Sequence, residues 1–251
     1  MKITILGCGG SFGSPLAWEK NGNIDLNNKK NFRTRSSILI ELNSNNILID
    51  TSPDLRQQLY NSKITNIDAV FYTHIHSDHT AGINDLRAIS LINDNKIIPA
   101  FTPAEMQHEM LNNYKYIFSG DKNYDSFMTI NDIEKDFTFN DINVQTFKHN
   151  HGLIDVQTYR IDNFAYSTDI KKFYDNDIDK LKNLDLWVVG LLRHDDHPSH
   201  AGFDKILEYV NYLKPKKTVF THMTALLDQY ELLNKCPENV IPGYDGLVIN
   251  I

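Results

Sequence analysis

Cysteine occurs only twice in the 251 residues, at Cys8 and Cys236. Two thiols so far apart in the chain make neither a disulfide framework nor a cysteine-rich zinc site, and they suit a reducing compartment. No run of about 18 apolar residues occurs, so no membrane-spanning helix is predicted. The opening MKITILGCGG has one lysine and an apolar stretch that breaks at glycines, too short and wrongly flanked for a signal peptide. Basic residues are outnumbered: 25 Lys and Arg against 32 Asp and Glu leave a formal net charge of −7. An acidic chain is a poor default partner for nucleic acid, whose phosphates call for a basic field. Lys29, Lys30, Arg33 and Arg35 form a local basic patch, and a solvated loop is the plain reading of it. No Pro/Gly/Ser linker divides the chain and no short repeat is found. The expectation is one domain over residues 1–251, soluble and cytoplasmic, with no membrane partner.

What is present is a series of short apolar runs punctuated by turn residues. KITIL, SSILIEL and NILID read as strands, the last two joined by the turn NSNN. SPDLRQQLYN predicts a helix capped by Ser52 with Pro53 in its first position. DAVFYT is a strand, and HTAGINDLRAISLI has helical spacing of Ala81, Leu86, Ile89 and Ile92. Residues 103–135 are less regular and predict an insertion or lid with a helix from Pro103. DINVQTFKH, DVQTYRI, NFAYSTD, LDLWVVGLL and KTVFTH follow as strands. Helices are predicted near 177–183 and in GFDKILEYVNYL and TALLDQYELLN. Two halves of strands followed by helices imply two sheets face to face with helices outside.

The chemistry collects where strands end. THIHSDHT places His74, His76, Asp78 and His79 directly after one strand; His149 and His151 end a second, Asp169 a third and His222 a fourth. Strand ends along one sheet edge are where α/β proteins assemble sites. Imidazole and carboxylate together suit zinc and similar divalent metals. His74, His76 and His151 can serve one ion and Asp78, His79 and His222 a second, with Asp169 bridging both. Two such ions would hold a bridging hydroxide, because metal binding lowers the pKa of water towards about 7. A lone H-x-H is weak evidence; H-x-H-x-D-H after a strand is strong.

THIHSDH is similar to the T-H-x-H-x-D-H signature of the metallo-β-lactamase superfamily. HG at His151, YSTD at Asp169 and FTHM at His222 resemble its later ligand motifs, in the same order. The resemblance covers nearly the whole chain. It implies an α+β class (αββα sandwich) with two mixed sheets, and a dinuclear site of zinc or manganese, with iron also fitting. It also implies that Asp50, in NILIDTSPD, supports the ligand loop. LGCGGSFGSP, RTRSSILIEL, DLR and HPSH further resemble the phosphoribosyl 1,2-cyclic phosphate phosphodiesterase (PhnP-like) branch. That likeness implies a dinuclear metal-dependent phosphodiesterase acting on a small phosphodiester, with Asp78 and His200 as catalytic residues. His200 would be a general acid or a phosphate contact, a role suited to imidazole. A homodimer is suggested by the family alone. The alternatives carried forward are a ribonuclease Z-like RNA 3′-processing enzyme and a non-catalytic binding protein of the same fold.

The chain departs from the branch at two points. Members often carry a cysteine-rich structural zinc site after the first glycine loop, yet PLAWEKNGNIDLNNKKNFRTR contains no cysteine, so other contacts must hold that loop. Gly190 also stands at a strand end where an acidic residue is expected. The glycine spacing of GCGGSFG does not suit a dinucleotide site and predicts a tight loop near the centre, with Cys8 a small buried residue. His149 competes with His151 for the metal role, and the HG pair favours His151. His108 is expected on the surface, and His194 and His197 in a polar loop. Tyr114, Tyr116, Phe118 and Tyr124 fit either a substrate lid or packing within the insertion or a dimer.

Overall fold

A computed structural model of the chain describes residues 1–18, 22, 24–133, 136–175 and 177–251. Strands β1 (Lys2–Gly7), β2 (Ser37–Leu42), β3 (Asn45–Ile49), β4 (Ala69–Phe71), β5 (Ile98–Thr102) and β6 (Met128–Asp132) lie side by side in that order. The second sheet holds β7 (Phe137–Phe139), β8 (Ile142–His151), β9 (Ile154–Ile161), β10 (Phe164–Ser167), β11 (Lys172–Phe173), β12 (Leu186–Gly190), β13 (Lys217–Thr221) and β14 (Val240–Pro242). Its order is β11-β8-β9-β10-β12-β13-β14, with β7 paired to β8. The closing strand β15 (Val248–Asn250) returns to the first sheet beside β1. Each sheet is antiparallel in one half and parallel in the other.

The first-sheet strands read as continuous apolar runs because both of their faces are covered. Ile38, Ile40, Ile47, Ile49 and Phe71 join the core between the sheets, while the alternate residues Leu39, Leu48 and Val70 join a second cluster. That second cluster is closed by helices α1 (Leu55–Ser62), α3 (Leu86–Ile92) and α4 (Ala104–Asn113). A single turn, α2 (Ser77–Thr80), precedes α3, and α5 (Lys115–Ser119) follows α4. On α6 (Phe203–Leu213) the buried Phe203, Ile206, Val210 and Leu213 recur at helical spacing, as expected for a helix laid on a sheet. The last helix, α7 (Gln229–Lys235), is capped by Asp228, whose carboxylate accepts from the amides of Tyr230 and Glu231 at 2.9 and 3.1 Å. The architecture is the predicted α+β sandwich. Among the described residues, no helix is long and apolar enough to cross a membrane.

Three local expectations need correction. Ser52 does not cap α1, which starts at Leu55 after Asp54. The Ser52 hydroxyl instead accepts from the Asp54 amide at 3.2 Å and donates to Gln58 Oε1 at 3.0 Å. The backbone just before it is committed elsewhere: the Thr51 amide donates to the His79 carbonyl at 2.8 Å. Tertiary hydrogen bonds thus outweigh a local capping preference. The predicted helix near 177–183 is a 3-10 turn over Ile178–Leu181, and that in TALLDQYELLN begins only at Gln229. Residues 103–133 are the predicted insertion, built into the domain. Met106, Met110, Ile117, Phe127 and Met128 are buried in the second cluster, and β6 extends the sheet in parallel with β5; residues 134–135 of the predicted segment lie outside the described ones. Tyr114 and Phe118 pack against that cluster, whereas Tyr116 and Tyr124 are exposed.

The basic patch also divides. Lys29 and Lys30 are on the surface, but Arg33 is 2% exposed, and it makes no ion pair among the described residues. Its guanidinium donates to Asn31 Oδ1 (3.1 Å), Gln229 Oε1 (3.3 Å) and the Thr224 carbonyl (3.3 Å). Asn31 Nδ2 and the Asp25 amide both donate to Asp228 Oδ2, at 2.7 and 2.9 Å. This polar network ties the cysteine-free segment to the loop that follows His222.

Candidate metal centre

The C-terminal ends of β3, β4, β8, β10 and β13 meet along one edge of the sandwich, and each hands the chain to a polar residue: Asp50, His74, His151, Asp169 and His222. Asp50, Asp169 and His222 all have left-handed backbone, with φ of 61°, 54° and 58°. Such a conformation costs a residue with a side chain on the order of 1 kcal/mol and persists only where the surroundings enforce it. At these positions it turns a side chain off the strand end and into the centre.

His74, His76, Asp78, His79, His151, Asp169, His200 and His222 come together there. Four groups of three have one donor atom each within 4.8 Å of the others: His74/His76/His151, His74/His79/Asp169, Asp78/His79/His222 and His151/Asp169/His200. Asp169 sits between the two predicted triads. Its Oδ2 lies 3.3 Å from His79 Nε2, and its Oδ1 lies 3.4 Å from His222 Nε2 and 3.8 Å from both His151 Nε2 and His200 Nε2. His74 Nε2 and His76 Nδ1 face each other at 3.0 Å.

Several rings are turned by an outer partner. Asp50 is fully buried and accepts from the Thr73 amide (2.8 Å), the Thr73 hydroxyl (2.8 Å) and His79 Nδ1 (2.7 Å). His151 Nδ1 donates to the Ser199 carbonyl at 2.9 Å. In both rings Nδ1 is held by an outer acceptor and Nε2 is turned inward, the orientation a metal-binding imidazole needs once Nε2 is free of a proton. The glycine loop lies next to this edge: the Gly10 amide donates to the carbonyl of Met223, immediately after His222.

The electrostatics suit a set of metal ligands. Burial, with neighbouring imidazoles, holds the His74 pKa well below the usual range, so the ring is neutral and able to ligate. Burial alone would raise Asp78 and Asp169, yet the surrounding imidazoles keep both carboxyls below their ordinary range and ionised. Burial would also lower His79, but Asp78, Asp50 and Asp169 raise it instead. His79 Nε2 is nevertheless buried without an aligned hydrogen bond. An orphaned imidazole nitrogen facing two carboxylates is what a divalent cation would satisfy, and the nitrogen and oxygen donors suit zinc, manganese or iron.

Not every histidine belongs to the cluster. His149 is buried, and both ring nitrogens are engaged away from the centre, Nδ1 with Thr158 Oγ1 at 2.9 Å and Nε2 with the Thr168 carbonyl at 2.7 Å. His108 is exposed and bonds to Asn112. His197 bonds to Ser199 Oγ at 3.0 Å with its ring 5.7 Å from that of His200, while His194 lies 3.7 Å from Glu231. Gly190 is explained by close approach: a Cβ there would lie 2.8 Å from the Asp169 amide nitrogen and 3.3 Å from Thr168. Beside the centre a cleft of about 480 Å³ is lined by His74, Ile75, Pro103, Met106 and Ile154 and flanked by the Lys148–Glu105 ion pair at 2.7 Å.

Comparison with known proteins agrees with this geometry. The family model of the beta-lactamase superfamily domain matches residues 45–223. The crystal structure of a new diphosphatase from the PhnP family is 27% identical, with a TM-score of 0.89 over 99% of this chain and 96% of that one. Zn(2+)-bound PqqB from Methylobacterium extorquens shares the fold at 16% identity and a TM-score of 0.81, with both chains fully covered (100% of each). Among curated proteins, the octanoyltransferase of Porphyromonas gingivalis (strain ATCC BAA-308 / W83) is 29% identical over 254 residues. The match takes in 98% of this chain and 51% of that protein, so the chain spans about half the length of the curated relative it matches.

Proposed function

This chain belongs to the beta-lactamase superfamily domain family, and on that premise we propose that it is a dinuclear metal-dependent phosphodiesterase acting on a small phosphodiester. The ribosyl 1,2-cyclic phosphates are the substrate class we place first, from the resemblance to the PhnP-like branch. The observation that carries the reading is the position of Asp169, whose two oxygens face imidazoles of both donor triads. His74, His76 and His151 would hold one divalent ion, Asp78, His79 and His222 the other, and Asp169 both. Bound there, the ions would supply Lewis acidity and activate water at neutral pH.

The chain's own residues supply positioning and proton control. Asp50 fixes the tautomer and the angle of His79 through a 2.7 Å bond. His200 stands beside the cluster, its ring 4.6 Å from His151 and stacked at 5.5 Å on His222. Burial lowers its pKa to about 3, so the free enzyme holds it as a neutral ring. Of the two roles the resemblance implies, we assign the hydrogen-bond contact to the phosphoryl group, which a neutral imidazole makes through its N–H. The cleft beside His74 would take one ester arm of the substrate.

Hydrolysis of bis(p-nitrophenyl) phosphate tests this, with bound metal counted per chain and His76→Ala as the blank. Two ions and a turnover that the variant loses support the reading. Two ions with no phosphodiester cleavage, but release of p-nitrophenol from p-nitrophenyl octanoate, would replace it with acyl chemistry. A chain that binds no metal would refute it.

A further inference from the structure

His149 lies on the same face of β8 as His151 and is fully buried, yet it takes no part in the donor cluster. The bonds of its ring define its state. Nε2 faces the Thr168 carbonyl at 2.7 Å, and a carbonyl can only accept, so Nε2 carries the proton. Nδ1 lies 2.9 Å from Thr158 Oγ1. Thr158 Oγ1 is 3.0 Å from Ser167 Oγ, which receives the indole N–H of Trp187 at 3.2 Å. A buried chain of polar groups thus runs from Trp187 to the Thr168 carbonyl, through a neutral imidazole.

That carbonyl belongs to the peptide leading into Asp169. The segment is fixed at several points. Thr168 Oγ1 donates to Asp169 Oδ2 at 2.5 Å, the Ile170 carbonyl receives the Ala201 amide at 2.6 Å, and the Lys171 amide donates to the Asn150 carbonyl at 2.8 Å. Gly190 backs the same peptide closely. Asp169 keeps its left-handed backbone between these restraints, and His149 is the side chain that grips the carbonyl ahead of it. We propose that His149 is a positioning residue: through the Thr168 carbonyl it sets the direction of the Asp169 carboxylate, and so the affinity and geometry of the shared metal position. The proposal rests on the two-ion reading of the site given above.

The test compares His149→Leu with His149→Gln, whose amide N–H can reach the same carbonyl, and with Thr158→Val, which removes the partner of Nδ1 and its link to Ser167 but keeps the imidazole. Metal affinity is read by competition with a chromophoric chelator, geometry by the visible spectrum of the cobalt(II)-loaded protein, and folding by melting of the metal-free forms. His149→Leu is expected to lose roughly 10–100-fold in affinity for the more weakly held ion, the usual effect of a lost outer partner, with an altered cobalt spectrum. His149→Gln should restore both to within about threefold, on the same grounds. Thr158→Val should show the same change in smaller measure, and it carries the test if His149→Leu does not fold. Wild-type affinity and spectrum in both Leu and Val variants, with only a lowered melting temperature, would make His149 a packing residue and overturn the proposal. A wild type that binds no metal would overturn the reading of the centre instead, a result distinct from a loss confined to the variants.

Discussion

His79 Nδ1 lies 2.7 Å from Asp50 Oδ2, with both side chains fully buried. Asp50 also accepts from the Thr73 amide and hydroxyl, so one carboxylate locks the start of the ligand loop to one of its rings. Asp50→Asn replaces an acceptor oxygen with an NH2 that must face a donor. It should lower metal affinity about 10–100-fold and destabilise the metal-free fold by about 1–3 kcal/mol. Metal titration and urea denaturation of the same variant measure the two effects. Wild-type metal binding would show that His79 needs no outer partner.

Gly190→Ala puts a methyl 2.8 Å from the Asp169 amide nitrogen. Backbone, and not a flexible side-chain end, has to move. The expected result is a loss of about 1–3 kcal/mol in folding stability together with weaker metal binding, since the displaced peptide carries the shared carboxylate. A stable alanine variant with an intact metal site would show that the loop adjusts freely.

His200→Ala separates substrate contact from metal binding. If His200 touches the phosphoryl group, the variant should keep wild-type metal content and lose about 10²–10³-fold in kcat. Metal analysis beside steady-state kinetics decides it: parallel loss of metal and activity would make His200 a ligand, as its place in the His151/Asp169/His200 group also allows.

The stability of the metal-free protein should fall in acid. Burial lowers His149 to about 4 and His200 to about 3, while an imidazole in the unfolded chain titrates near ~6.5. Between those values the unfolded state binds more protons, so this contribution is complete above about pH 6.5 and is lost as the pH falls towards the folded values. Asp245, pushed up to about 6 by burial, works in the opposite sense and loses its contribution as the pH rises through that value. His79 and Asp50, also raised, act in the same sense as Asp245, but the lowered imidazoles of His74, His76, His149, His197 and His200 outnumber these three and leave a net decline. Denaturation midpoints measured from about pH 7 down to about pH 5 should decrease, and a flat profile would contradict the assigned neutral rings. Metal binding should weaken over the same range, because His79, held protonated by its three carboxylate neighbours, must release a proton to ligate.

Much of this protein was legible in one dimension. The alternation of Ile38, Leu39 and Ile40 dictates a strand covered on both faces, and the two clusters those residues join are the result. The run from His74 to His79 after a strand marks a polar cluster, and the structure gathers it with His151, Asp169 and His222. Other features needed the fold. Ser52 has the sequence of a helix cap, yet the neighbouring Thr51 amide is bound to the His79 carbonyl, and the helix starts later. Residues 103–133 look polar and irregular, yet their few apolar residues reach a shared core. His149 and His151 are two residues apart on one strand face, and only the glycine after His151, through the family resemblance, tells them apart. Spacing sets the direction in which a side chain leaves the backbone, but not what it meets. Only the sheet order, in which β10 lies beyond β9 and the chain then turns back to pair β11 with β8, brought the Thr168 carbonyl to one ring and Asp169 to the other.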